Sequence, residues 1–267
     1  MLSTEQKRKR MTAFAIDKKR KIAAGGFFIF TKARVYDKIS NIDFIYKIKN
    51  LETEHFMFEI VTDNTADLYE GYYEQNPARR LPFSFTLEDR FYERDDEYPI
   101  ELFYEKLKAG KLVRTSQINP HDAEVEFEKV LQEGKDVLYI GFSSGMSGSF
   151  DNISYIAKGL RIKYPERKII VVDTLSGAGG EGLLFYYARK MQQEGKSMEE
   201  IAEWVENNKL NTHHCFIVSD LINLRNSGRI STLAALFGMI VHINPVLELT
   251  REGKIGIVTK SIGRKKS

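Results

Sequence analysis

From residue 57 onward the chain predicts an α/β fold, a mostly parallel sheet with flanking helices, followed by a partial second α/β domain. Three observations carry that expectation. Strand-like runs of Val, Ile, Leu and Phe alternate with amphipathic runs long enough for helices. The strands read as buried, and short connections join successive elements. That order suits parallel strands covered by helices.

MFEIVTD (57–63) reads as a buried strand, and Asn64-Thr65-Ala66-Asp67 as a cap or turn. A polar, aromatic region runs to Pro99, and PIELFYEKLKAG follows as a helix closed by Gly110. HDAEVEFEKVLQEGKD predicts an amphipathic helix with Val125, Phe127, Val130 and Leu131 on its apolar side. DVLYIGF is a strand, SSGMSGS a loop and FDNISYIAKGLRIKYP a helix; KIIVVDT is a strand, SGAGGEG a glycine-rich loop and LLFYYARKMQQEG a helix. The last sixty residues change character: THHCFIVSD as a strand, LINLRNSGRIS as helix and loop, an apolar run, and a hairpin turning at Glu252-Gly253. Three regions follow: a basic, poorly ordered extension over 1–56, an N-terminal α/β domain over 57–205, and the start of a truncated second domain over 206–267.

The chain has 267 residues, 42% hydrophobic and 29% charged, which excludes disorder throughout. Its single cysteine, Cys215, excludes an intrachain disulfide scaffold, and no Cys/His spacing resembles a zinc site; a reducing, cytoplasmic setting fits. No apolar run approaches the roughly 20 residues a membrane-spanning helix needs. The net charge of +3 averages two unlike parts. Residues 1–50 hold 13 Lys or Arg against 4 acids, a balance of +9, and the remaining 27 basic and 33 acidic residues give −6. The basic segment suits three readings: a secretory signal, an arm for nucleic acid or anionic lipid, or an extension without a dedicated role. TKAR follows its apolar stretch where a cleavage site should lie, which disfavours the first; the third is adopted, with the native product expected to begin near Met57.

Several motifs bear on chemistry. Gly141-Phe142-Ser143-Ser144-Gly145 matches the nucleophile-elbow pattern between a strand and a helix, so a serine esterase is one reading, with Asp173 or Asp220 and His242 as partners. The same loop continues through Ser147 and Gly148 and opens a helix, where free backbone N–H groups and hydroxyls attract a carboxylate or phosphate. Thr115 and Ser116, at another strand end, can add donors to that rim. Gly177 to Gly182 contains a literal G-x-G-x-x-G, but it begins five residues after Val172 and is better explained by close helix packing than by a dinucleotide. Arg229, in Asn226-Ser227-Gly228-Arg229-Ile230-Ser231, offers a fork for an anionic group or partner.

In order, EIVTDNTADL, VRTSQINP, GFSSGMSGSFDNISYIA, VVDTLSGAGGEGLL, SDLINLRNSGRIS and INPVLEL closely resemble the DegV family of fatty-acid-binding proteins. The resemblance spans Phe58 to about Val258 and leaves out 1–56. It implies a two-domain α/β carrier rather than an enzyme, with a long-chain fatty acid in a tunnel between domains and no other cofactor. It also implies presentation of the acyl carboxylate to a separate kinase catalytic subunit for phosphorylation. On matching positions it implies that Thr115, Ser116, Ser143 and Ser144 contact the carboxylate with Ser147 and Gly148 beside them. Asp63 and Thr65 then shape the site, Asp173 and Ser176 are further candidates, and Arg229 faces the kinase or the site edge. The family continues into later strands and a histidine- and glycine-containing loop, so a shortened C-terminal part is expected.

Overall fold

A computed structural model describes residues 57–94, 97–218 and 243–262, with the backbone of 28–29 and the short pieces 224 and 227–229. In chain order its strands are β1 (Phe28–Ile29), β2 (Phe58–Asp63), β3 (Arg79–Leu81), β4 (Phe85–Leu87), β5 (Arg90–Tyr92), β6 (Val113–Thr115), β7 (Asp136–Gly141), β8 (Ile169–Asp173), β9 (Cys215–Ile217), β10 (Ile243–Leu249) and β11 (Ile255–Ile262). Its helices are α1 (Tyr72–Gln75), α2 (Ile100–Lys108), α3 (Pro120–Gln132), α4 (Ser149–Lys163), α5 (Ala178–Gln193) and α6 (Met198–Asn208), the last continued by a 3₁₀ turn at Lys209–Asn211. None of the described helices is long and apolar enough to cross a membrane.

The expected parallel sheet is present, in the order β3-β2-β7-β8, with every pairing parallel. Strand residues point alternately to opposite faces, and both faces are buried. Leu138 and Ile140 of β7 join Ile60, Val172, Phe185, Ile201 and others under α5 and α6, whereas Val137 and Tyr139 join Val61, Phe127, Ile153 and Leu160 under α3 and α4. This two-sided burial is why the strands read as continuous apolar runs. Helix starts follow their local chemistry. Asn119 caps α3 through His121 N at 3.0 Å, with Pro120 at its first position, and Ser197 with Glu200 forms a reciprocal capping box on α6.

Three local expectations need correction. β6, expected as another strand of the parallel sheet, pairs with β4 in a small antiparallel sheet, β5-β4-β6, built from the polar aromatic region. Phe85, Leu87 and Tyr92 give that sheet its own core, so three residues sufficed for each strand. Val125 stands 37% exposed, because α3 meets the sheet along Ala123, Phe127, Val130 and Leu131. The SGAGGEG segment is not all loop: α5 starts at Ala178, and Gly180 and Gly182 lie within it. Within the basic extension, Phe28–Ile29 pair antiparallel with Ile217 and Phe216. Those β-favouring residues add to the edge of β9. The described second sheet, β1-β9-β10-β11, is entirely antiparallel, and the expected hairpin forms part of it.

The division expected after residue 205 falls in the last turn of α6. The apolar run 233–242, with His242, lies outside the described residues, as does Asp220. The hairpin turn at Glu252-Gly253 is present between β10 and β11. Phe127→Ala, at a site with no solvent exposure, should lower unfolding stability by about 3–5 kcal/mol, read as a fall in the urea midpoint with the slope unchanged.

Candidate functional site

Because the four strands run parallel, their carboxyl ends share one edge of the sheet. Asp63, the 142–148 loop and Asp173 therefore meet there despite their separation in sequence. Asp63 is fully buried at the end of β2. Its Oδ1 accepts from the backbone N–H of Thr65 at 3.0 Å and from the Thr65 hydroxyl, and its Oδ2 accepts from Tyr139 at 2.9 Å and from the Phe142 N–H at 3.0 Å. Burial raises its pKa above the ordinary carboxylate value, while these donors pull it back. The other candidate of the same motif, Thr65, bridges Asp63 to Glu181, whose Oε2 lies 2.7 Å from the threonine hydroxyl.

Glu181 was not singled out in the sequence. It is completely buried in the first turn of α5, and its carboxyl is pushed well above its usual range by burial first and by the charge of Asp63 second. A signal was there: Glu181, Leu184, Phe185, Ala188 and Gln192 form one buried stripe at helical spacing. The glycines around it disguised the start of the helix. They permit close packing, since a Cβ on Gly182 would stand 2.0 Å from Asp67 O and one on Gly180 would meet the His214 ring.

Next to Phe142, the loop spends its polar groups in three directions. The Ser143 hydroxyl is fully buried and donates to Gly253 O at 2.8 Å, while its N–H donates to Ser176 O at 2.9 Å. The Ser144 N–H donates to Asp173 Oδ1 at 3.2 Å, an oxygen that also accepts from Leu175 N at 2.9 Å. Ser147 and Ser149 share a hydrogen bond of 2.9 Å, and Ser149 Oγ accepts from Ile118 N at 3.0 Å. That last bond brings the segment after Thr115 and Ser116 onto the start of α4, where Gly148 lies so close to Gln117 that a Cβ would stand 2.6 Å from its amide nitrogen. Thr115 and Ser116 are themselves exposed. Arg229, also exposed, donates from Nε to Met146 O at 3.2 Å. Met146 in turn packs against the apolar cluster of Phe216, Val218, Leu247 and Ile255.

All eleven singled-out residues thus lie in or beside one hydrogen-bonded assembly, with Thr115 and Ser116 at its outer edge. The esterase geometry is not formed among the described residues. Ser143 lacks the left-handed backbone seen at Leu175 and Ala178, its hydroxyl is engaged by a carbonyl, and α4 begins six residues later. The buried His214 instead faces Gly177 O at 3.3 Å, and burial lowers its pKa. A cleft of about 350 Å³ opens near the hairpin, lined by Lys209, His213, His214, Glu248, Arg251 and Glu252 among others. It contains none of the eleven residues, and its mixed charge suits no apolar tunnel.

The arrangement is that of an α/β protein whose strand-end loops and antiparallel hairpin close around one hydroxyl-rich turn. A family model described as "Uncharacterised protein, DegV family" matches residues 57–267. The chain belongs to the DegV family. It is similar to a DegV domain-containing protein of Clostridium perfringens, 37% identical over 212 residues that cover 79% of this chain and 73% of the relative. A DegV domain-containing protein of Lactococcus lactis is 34% identical over the same shares. Among solved structures, a fatty-acid-binding DegV family protein from Thermus thermophilus superposes with a TM-score of 0.68 at 27% identity, covering 78% of this chain and 73% of its own. DegV from Bacillus subtilis, a fatty-acid-binding protein, gives 0.67 at 26% identity over 79% and 73%.

Gly253 combines a positive φ of 68° with a position where a Cβ would stand 2.1 Å from Ser143 Oγ. Gly253→Ala should therefore lift the hairpin tip from the loop. Trypsin cleavage after Arg251 or Lys254 should accelerate at least several-fold while the far-UV circular dichroism spectrum stays close to wild type; equal cleavage rates would mean that this contact does not hold the tip.

Proposed function

We propose that the chain binds a long-chain fatty acid and presents its carboxylate to a separate kinase subunit for acyl-phosphate formation, itself acting as a carrier and not as a catalyst. The observation that carries this reading is the double character of the 142–148 loop. Its serines and N–H groups line a polar turn, while Met146 of the same turn enters an apolar cluster. A fatty acid has the same division between head and tail. Fatty-acid-binding relatives with this fold support the choice of ligand.

In this reading Thr115, Ser116, Ser144, Ser147 and Gly148 form the rim that takes the carboxylate, and Ser143 latches the hairpin tip over it. Asp63, Thr65, Asp173 and Ser176 shape the turn from beneath. Arg229, held on Met146 O and exposed, faces the kinase. The acyl tail lies in an apolar tunnel that continues from the Met146 cluster. Nucleic acid is not a partner, since the family-matched part of the chain is acidic.

Magnitudes divide the labour. Each buried CH₂ contributes about 0.8 kcal/mol, so a long acyl chain gains roughly 10 kcal/mol before ordering costs. A hydrogen bond to the charged carboxylate adds about 1.5–3 kcal/mol. The tail holds the ligand and the hydroxyls orient it. Thr115→Ala and Ser147→Ala should therefore lower acyl-phosphate formation by the kinase about tenfold or more, while the fatty acid recovered by mass spectrometry of an organic extract stays near one per chain. Purified wild-type protein that yields no fatty acid even after loading would refute the reading.

A further inference from the structure

The hydrogen bonds around Asp63 and Glu181 assign a proton. The Thr65 hydroxyl has one hydrogen, yet its oxygen lies within hydrogen-bond reach of both Asp63 Oδ1 and Glu181 Oε2. A carboxylate has no hydrogen to give, so both contacts are hydrogen bonds only when one of the two carboxyls is protonated. Asp63 already accepts from the N–H groups of Thr65 and Phe142 and from the Tyr139 hydroxyl. Glu181 Oε1 lies 3.5 Å from Thr62 Oγ1, a hydroxyl that points its hydrogen at Ile140 O, 2.8 Å away, and the carboxyl also faces Asp63. The negative charge therefore belongs on Asp63 and the proton on Glu181.

The surroundings agree. Facing the pair are Asp67 from the loop after β2 and Tyr139 from β7, and Asp173 from β8 acts in turn on Tyr139. Tyr73 of α1 lies under the Arg80 guanidinium, 4.1 Å from its ring centre, and His214 packs against the first turn of α5. The like charges of Asp67 and Asp63 oppose ionisation of Glu181, as burial does. The amino end of α5 favours an anion, but three direct donors and the charge already on Asp63 outweigh a dipole.

We propose that Glu181 is a proton-carrying positioning residue: as a neutral acid it donates to Thr65, Thr65 donates to Asp63, and Asp63 holds the Phe142 amide and with it the Ser143–Ser144 turn. Only the functional consequence, a head-group turn that loosens when Glu181 ionises, rests on the fatty-acid reading. An acid whose folded-state pKa lies above its unfolded value takes up a proton on folding. The stability it contributes is complete at and below the ordinary carboxylate range and is lost as pH rises toward the folded-state pKa.

Urea unfolding of the full chain without ligand tests this, from about pH 6 to about pH 9, on wild type, Glu181→Gln and Glu181→Ala. Relative to Glu181→Gln, wild type should lose folding stability as pH rises, by up to about tenfold in the folding equilibrium constant per pH unit while the folded chain keeps the proton. The glutamine amide can still donate to Thr65 and should keep the turn, whereas Glu181→Ala should lower the midpoint throughout. Superimposable pH profiles of wild type and Glu181→Gln overturn the proposal, and so does a slope that Asp63→Asn abolishes while Glu181→Gln retains it. Should Glu181→Gln fail to fold, the infrared band of an un-ionised carboxyl in wild type at about pH 6, above the ordinary carboxylate range, decides, its presence supporting the assignment and its absence refuting it. Stearate retention, measured alongside, should hold in wild type while that slope persists and weaken where the slope flattens as Glu181 ionises, with no such change in Glu181→Gln. A chain that shows the one-proton slope yet never binds stearate upholds the proton assignment and refutes the fatty-acid reading.

Discussion

The Asp63 carboxylate is the interaction on which the rest of the site depends. It ends β2 fully buried, where a charge needs the backbone and side-chain donors that surround it. Those donors come from the turn after β2, from the middle of β7 and from the first residue beyond β7. One side chain thereby ties two strand ends and starts the 142–148 turn in a fixed direction. Among the described residues every buried side-chain nitrogen or oxygen has a partner, as a dry polar network requires.

The turn distributes its groups by element: Asp63 takes the Phe142 amide, Asp173 the Ser144 amide, and Gly253 the Ser143 hydroxyl. The second sheet is thus joined to the first through a glycine hairpin tip and the Met146 side chain, where a side chain on Gly145 or Gly253 would obstruct. Such close packing couples the position of the hairpin to the geometry of the proposed head-group rim. A proton held on Glu181 would make that coupling sensitive to pH.

Much of the fold was legible because burial on both faces writes itself into strand composition. Phe58–Asp63, Asp136–Gly141 and Ile169–Asp173 read as strands for that reason, and the helices between them follow from periodicity and caps. The short strands β3 to β5 were not legible, since three residues carry no period, and the sheet to which β6 belongs is settled by Phe85, Leu87 and Tyr92 meeting in space. The serine loop was legible as a site through its residue types. Glu181 was hidden inside a glycine pattern whose more familiar meaning is a phosphate turn.

By itself the sequence determined the order of strands and helices, the family and the neighbourhood of the site, because apolar periodicity and ordered motifs are local properties of the chain. Only the tertiary structure decided that the Ser143 hydroxyl meets a carbonyl of the hairpin, that Thr115 ends an antiparallel strand, and that two acids from distant segments meet at the Thr65 hydroxyl. The reason is physical. Whether a hydroxyl is free or engaged, and which of two carboxyls is charged, depends on donors brought within about 3 Å by folding, and no spacing along the chain encodes that distance.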